Sequence, residues 1–197
     1  MPTPDPTPEL TVEDATAWQR WLDRHHASSP GVRLVLARKG VTGPTSLTHA
    51  EALELALAYG WIDGRTGRRD ESTWTVRFTP RRPRRQWSKR NVGIVERLMS
   101  AGQMQPAGLA EVERAKADGR WAAAYEGSAS ITVPDDLAAA LAAEPEAAAM
   151  FERLSSQNRY AVLYRVTTAK RPETRQRRIE QFVEMLARGE TIHPQRH

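Results

Sequence analysis

Residues 73–79, Thr73-Trp74-Thr75-Val76-Arg77-Phe78-Thr79, alternate side by side: Trp74, Val76 and Phe78 fall on one face, Thr73, Thr75, Arg77 and Thr79 on the other. A period of two is the mark of a strand with one face against a core. Upstream, Val32 to Arg38 (VRLVLAR) alternates in the same way. Between the two lies Thr48-His49-Ala50-Glu51, a capping box that opens a helix carrying Leu53, Ala56 and Leu57, and Gly60 supplies the left-handed stop. Before the first strand, Thr11 is positioned to cap a helix through about Ser28, with Val12, Ala15, Trp18 and Leu22 on one face and Pro30-Gly31 ending it. Trp61-Ile62-Asp63-Gly64 follows Gly60 and gives way to a polar loop.

Downstream of the deciding strand, Pro80 and Pro83 stop further pairing and extend a basic loop to Trp87. Ser88 is a good cap for a helix carrying Val92, Val95, Leu98 and Met99, closed by Gly102. Pro106 or Ala107 starts another helix that ends near Gly119. Glu126 to Thr132 (EGSASIT) reads as a linker, and beyond it strand signals cease. Pro134, Pro145 and Pro172 each suit a helix start, a further helix runs through Tyr160, Leu163 and Val166, and Gly189 closes the last. The expected fold is α+β: a small antiparallel sheet packed with helices, followed by an all-helical C-terminal subdomain. The expected boundaries are a disordered proline-rich lead-in over 1–9, an α+β body over 10–126 and the helical subdomain over 133–190.

The chain of 197 residues is 40% hydrophobic and 27% charged, an ordinary globular balance. No run approaches the roughly 18 apolar residues of a membrane span, so membrane insertion is not expected. The start, MPTPDPTPEL, lacks a basic and then apolar secretory pattern, and cysteine is absent, which excludes disulfides and thiolate chemistry. A cytoplasmic soluble protein is the expectation; oligomeric state is not readable.

The net charge of +5 is unevenly spread. Between Arg65 and Arg90 ten basic residues face only Asp70 and Glu71, a local +8, so the rest of the chain sums to −3. A second cluster, Arg165 to Arg178, sets six basic residues against Glu173. Arginine outnumbers lysine 25 to 4, which a GC-rich genome produces by itself, but codon usage does not produce clustering. Concentrated charge attracts phosphate, carboxylate or nucleic acid; it also occurs as solvated surface.

Three groups of residues carry the candidate chemistry. Trp61, Asp63 and Gly64 follow a helix stop, where Asp63 is either a general base or, by preference, the acceptor of an Asx-type turn. Arg77, Thr79, Arg81, Trp87, Ser88, Lys89, Arg90 and Asn91 combine guanidinium forks with a helix start, a recipe for holding an anion: Arg81 and Arg90 as clamp, Ser88 as hydroxyl, Trp87 as stacking face. Against it stands a core Trp87 with arginines paired elsewhere. Thr174, Arg175, Arg177 and Arg178 give either a second anion contact or salt bridges to Glu173 and Glu180, the latter preferred. No G-x-S-x-G, P-loop, G-x-G-x-x-G or H-E-x-x-H is present; His25 and His26 are adjacent and point apart, and His193 and His197 lie in a tail expected to fray. No metal and no cofactor is expected.

Several stretches together resemble the bacterial YdeI/OmpD-associated, or bacteriocin-protection, family: Trp18 to Leu22 (WQRWL), Leu47 to Gly64 (LTHAEALELALAYGWIDG), Arg77 to Asn91 (RFTPRRPRRQWSKRN), Gly102 to Leu109 (GQMQPAGL), Ala115 to Trp121 (AKADGRW) and the tail from Val133-Pro134 to Ile179. The resemblance runs from about Thr11 to Arg188. The chain departs from it at Ala58-Tyr59, where a cysteine and an aromatic are frequent, at Arg84-Arg85, where a serine is common, and at Gly102-Gln103-Met104, where the middle residue is usually basic. The resemblance implies tolerance to antimicrobial peptides or envelope stress, and it carries over no reaction.

Three functions follow. The first is binding of a small anionic ligand or a protein partner at an Arg-rich site made of Trp61, Asp63, Arg77, Thr79, Arg81, Trp87, Ser88, Arg90 and Asn91. The second is nucleic-acid binding by residues 65–90, with Trp74 and Trp87 stacking on bases. The third is an enzyme with Asp63 as base and Arg77 or Arg90 as electrostatic stabiliser.

Overall fold

The computed structural model describes residues 7–128 and 130–195. The chain divides into two units, Met1–Trp87 with Asn91–Ala123, and Ser88–Arg90 with Ala124–His197.

In the first unit the deciding stretch is strand β4 (Thr73–Pro80), which pairs antiparallel with β2 (Val32–Ala37) on one side and β3 (Trp61–Arg68) on the other. A two-residue strand, β1 (Glu9–Leu10), runs parallel to β2 and completes the order β1-β2-β4-β3. The fold is α+β, but the sheet is mixed where an antiparallel one was expected. The lead-in also corrects the reading of 1–9. Residues 1–6 lie outside the described residues, whereas Thr7 is buried and Glu9 sits in the sheet. Proline has no N–H to give a ladder, but its carbonyl accepts: Arg33 N–H donates to Pro8 O at 2.8 Å. The Arg33 guanidinium adds a bond to Thr7 O at 3.1 Å and an ion pair with Glu9 at 3.5 Å.

The polar loop expected after Gly64 is instead the second half of β3, which carries a register shift between Asp63 and Thr66. Glycine and arginine dominate this half and hide its period, because an edge strand has little apolar surface to show. Asp70 closes the hairpin: it accepts from the backbone N–H of Ser72 at 2.9 Å and of Thr73 at 2.6 Å, and from both hydroxyls. Bonds from Thr73 and Ser72 hold its carboxyl well below the usual carboxylate range.

Helix α1 (Ala15–His25) starts later than expected, since Asp14 rather than Thr11 is the cap, accepting from Ala17 N–H at 2.8 Å. Helix α2 (His49–Ala58) opens on the Thr48/Glu51 capping box read from the sequence. Both pack on the sheet. Trp18 lies against Phe78 with ring centroids 5.7 Å apart, and its indole N–H donates to Ala52 O at 3.1 Å. Leu22, Leu34, Leu36, Leu53, Leu57 and Val76 are buried in the same unit; fully burying a side chain of this size contributes about 1.5–3 kcal/mol. Helices α3 (Lys89–Ser100) and α4 (Pro106–Ala117) follow. At Gly108 of α4 a Cβ would stand 2.1 Å from Ala58 O, so only glycine fits that approach.

The second unit holds α5 (Asp135–Ala142), α6 (Pro145–Glu152), α7 (Ser156–Thr167) and α8 (Pro172–Ala187). Leu137, Met150, Phe151, Leu163, Val166 and Leu186 are among its buried core. Pro145 and Pro172 open their helices as expected, while Pro134 is the cap itself, one residue before the helix. His193 does not fray: its N–H donates to Asn158 Oδ1 at 2.8 Å and its carbonyl accepts from Asn158 Nδ2 at 2.9 Å, with Asn158 buried. His197 lies outside the described residues. Among the described residues no helix is long and apolar enough to cross a membrane.

Candidate functional site

The basic loop after β4 is built by two arginines and displays three others. Arg81 N–H donates to Gly60 O at 3.0 Å, which ties the loop's start to the end of α2. Its guanidinium lies 3.8 Å over the Trp87 ring and donates to Gln86 O at 2.9 Å, and only 7% of the residue is exposed. A desolvated arginine on tryptophan contributes about 2 kcal/mol. At the other end Arg120 donates to Arg85 O at 3.1 Å. Arg120 is itself held by Asp118 at 2.7 Å and by the buried Glu111 at 3.5 Å, which also accepts from Arg114. Between these anchors Arg85 N–H closes a turn onto Arg82 O at 3.3 Å. Arg84 takes φ 69° there, a left-handed backbone that costs a non-glycine residue about 1–2 kcal/mol.

Arg82, Arg84 and Arg85 are exposed, and among the described residues no carboxylate lies within 4.0 Å of them. Pro83, inside this turn, explains part of this, since a turn, unlike a helix, sets no acid one helical turn from its arginines. Arg81 is thus a support of the loop, and the exposed charge belongs to its neighbours.

The remaining expected residues are distributed as follows. Trp87 is 1% exposed, covered by Arg81 and by Trp121 at 4.9 Å, so it is a core slab with no open stacking face. Its indole N–H has no acceptor among the described residues, in contrast to Trp18 and Trp61. Trp61 is also buried, donating to His26 O at 3.0 Å. Asn91 is buried at the beginning of α3. Arg77 and Thr79 are half-buried on the face of β4 turned from Val76 and Phe78, with Arg77 beside Arg33 and Thr79 beside Ile62 in register. Ser88 and Arg90 belong to the second unit, where Ser88 bridges to Tyr125 and Lys89 N–H donates to Tyr125 O at 2.9 Å. In that unit Lys89 also pairs with Glu126, and this lowers the Glu126 carboxyl from its ordinary value.

Asp63 sits in β3 and not in the Asx turn preferred from sequence. Its Oδ2 lies 3.0 Å from His49 Nε2, and the His49 ring tilts against Trp74 at 5.7 Å. Sequence reasoning passed over His49, because fourteen residues and a helix separate it from Asp63. In the tail, Arg175 reaches Asp136 at 2.6 Å and Val166 O at 3.1 Å, and Arg178 donates to Arg165 O; the expected partners Glu173 and Glu180 are not used by either arginine. The Arg175 bond lowers the Asp136 carboxyl from its ordinary value. Among the described residues no three of His, Cys, Asp or Glu group as metal ligands.

Two family models match the chain. Residues 10–111, just over half of it, match a domain of unknown function, DUF8412, and residues 130–189 match the bacteriocin-protection, YdeI or OmpD-associated model. The resemblance read from about Thr11 onward is therefore carried by the second model only in the tail. No curated protein and no solved structure matches the chain.

Proposed function

The chain belongs to DUF8412 and to the bacteriocin-protection, YdeI or OmpD-associated family, and on that premise we propose that it protects by binding an anion on the Arg82–Arg85 turn. The observation that carries the proposal is the pairing of three unopposed guanidiniums with a turn fixed by two other arginines. A guanidinium fork matches the planar oxygens of a carboxylate or phosphate. A turn that is ordered before binding loses less freedom when the anion arrives. Exposed charge contributes little alone, so the three act as a group. Protection then follows from sequestering an anionic ligand or engaging an anionic partner surface.

The test is calorimetric titration with inorganic pyrophosphate at two salt concentrations, comparing the wild type with the Arg82→Ala/Arg84→Ala/Arg85→Ala variant. The expected result is saturable binding that weakens at least about tenfold in the variant, or about 1.4 kcal/mol. Equal affinities for the two proteins would remove the turn from the reading.

A further inference from the structure

A cleft of about 530 Å³ opens in the first unit, away from the residues assigned to the anion-binding turn. Ala37 and Val41 give it apolar wall and Trp74 an aromatic one, and Arg38, Lys39 and His49 are among its polar lining. Its volume falls within the roughly 300–1,000 Å³ typical of small-molecule sites. We propose that this cleft binds a small aromatic acid, a planar ring carrying a carboxylate.

Each part of such a ligand has a matching group. The half-buried Trp74 offers a flat apolar surface for the ring, and aromatic pairs of this kind contribute beyond the area they bury. Arg38 and Lys39 are exposed at the rim, and among the described residues neither has a carboxylate within 4.0 Å, so both are available to the acid. His49 is oriented from behind. Its Nε2 meets Asp63 Oδ2 at 3.0 Å, a contact that fixes the orientation of the ring. The other ring nitrogen, Nδ1, has no hydrogen-bond partner among the described residues. Asp63 is then a positioning residue for His49.

The probe is benzoate, with acetate and benzyl alcohol separating the two halves of its chemistry. Binding is followed through the indole N–H resonance of Trp74 and the ring resonances of His49. Saturable shifts at both residues are expected with benzoate, and affinities at least tenfold weaker for acetate and for benzyl alcohol. Arg38→Ala/Lys39→Ala, which alters only exposed side chains, is expected to weaken benzoate at least tenfold. Arg82→Ala/Arg84→Ala/Arg85→Ala is expected to leave it unchanged. Three results overturn the proposal: unmoved Trp74 and His49 signals, an Arg38→Ala/Lys39→Ala variant that binds like the wild type, or loss of the shifts in the turn variant.

Discussion

Two arginine clusters that read alike in the sequence are put to different uses. In the turn after β4, Arg81 is buried on Trp87 while Arg82, Arg84 and Arg85 face solvent with no carboxylate near them. In α8, Arg175 is taken up by Asp136 and Arg178 by a carbonyl of α7, leaving Arg177 as the displayed member of that group. The difference is one of backbone. A helix packed among other helices brings two of these three arginines within reach of an acid or a helix-end carbonyl. A turn built around Pro83 leaves its three arginines, among the described residues, with no carboxylate within 4.0 Å. Charge density along the chain is therefore a poor guide to anion binding until the acids have been located in space.

The contrast is open to attack at its strongest point first. Arg81→Ala removes the stack on Trp87 and the bond to Gln86 O, and the expected loss is about 2–3 kcal/mol of stability in a denaturant titration. It should also weaken pyrophosphate binding, although Arg81 is not placed against the anion; unchanged stability would make Arg81 an ordinary surface residue. Next, Arg175→Ala/Arg177→Ala/Arg178→Ala should leave pyrophosphate affinity within about twofold, where the same number of substitutions in the turn costs about tenfold, or about 1.4 kcal/mol. Equal losses in calorimetry would erase the distinction between the clusters.

Smaller still is Glu111→Gln, which keeps a hydrogen-bond acceptor under Arg120 but withdraws the charge. A loss of about 1 kcal/mol is expected, together with faster amide exchange across Arg82–Arg85. The smallest effect belongs to Arg175→Ala, below about 1 kcal/mol as for other exposed pairs. Its pH dependence has a definite sign. Arg175 lowers the Asp136 carboxyl in the folded state, so the pair stabilises fully above the ordinary carboxylate value near 4 and is lost as pH falls through the lowered one. The melting-temperature gap between wild type and variant should be open at pH 7 and close toward pH 2.

Where a local rule was sufficient, the sequence was readable. The period of two in β2 and β4, the Thr48/Glu51 box, Pro145 and Pro172 at helix starts and Gly60, Gly102 and Gly189 with positive φ all follow from nearest neighbours. What escaped depends on distant partners. β1 exists because Arg33 reaches back to Thr7, Pro8 and Glu9. β3 lost its period to glycine and arginine at an edge. The site was half legible for the same reason. The basic loop could be located, but which arginine supports and which is displayed depends on Trp87, Arg120 and Glu111, and the His49–Asp63 pair depends on how α2 lies on β3.

The short first strand also bears on how the protein behaves in concentrated solution. β2 is the most apolar strand of the sheet, and among the described residues only the short strand Glu9–Leu10 stands beyond it. Pro8 O takes one of its outward N–H groups, and Leu47 O takes another, from Ala37 at 2.9 Å. Without Thr7–Leu10 most of that edge would be bare, an open template for a strand from another molecule. A chain shortened to begin at Thr11 is thus expected to scatter light and form aggregates at concentrations where the full chain stays clear. Four residues at one end act as a guard against self-association.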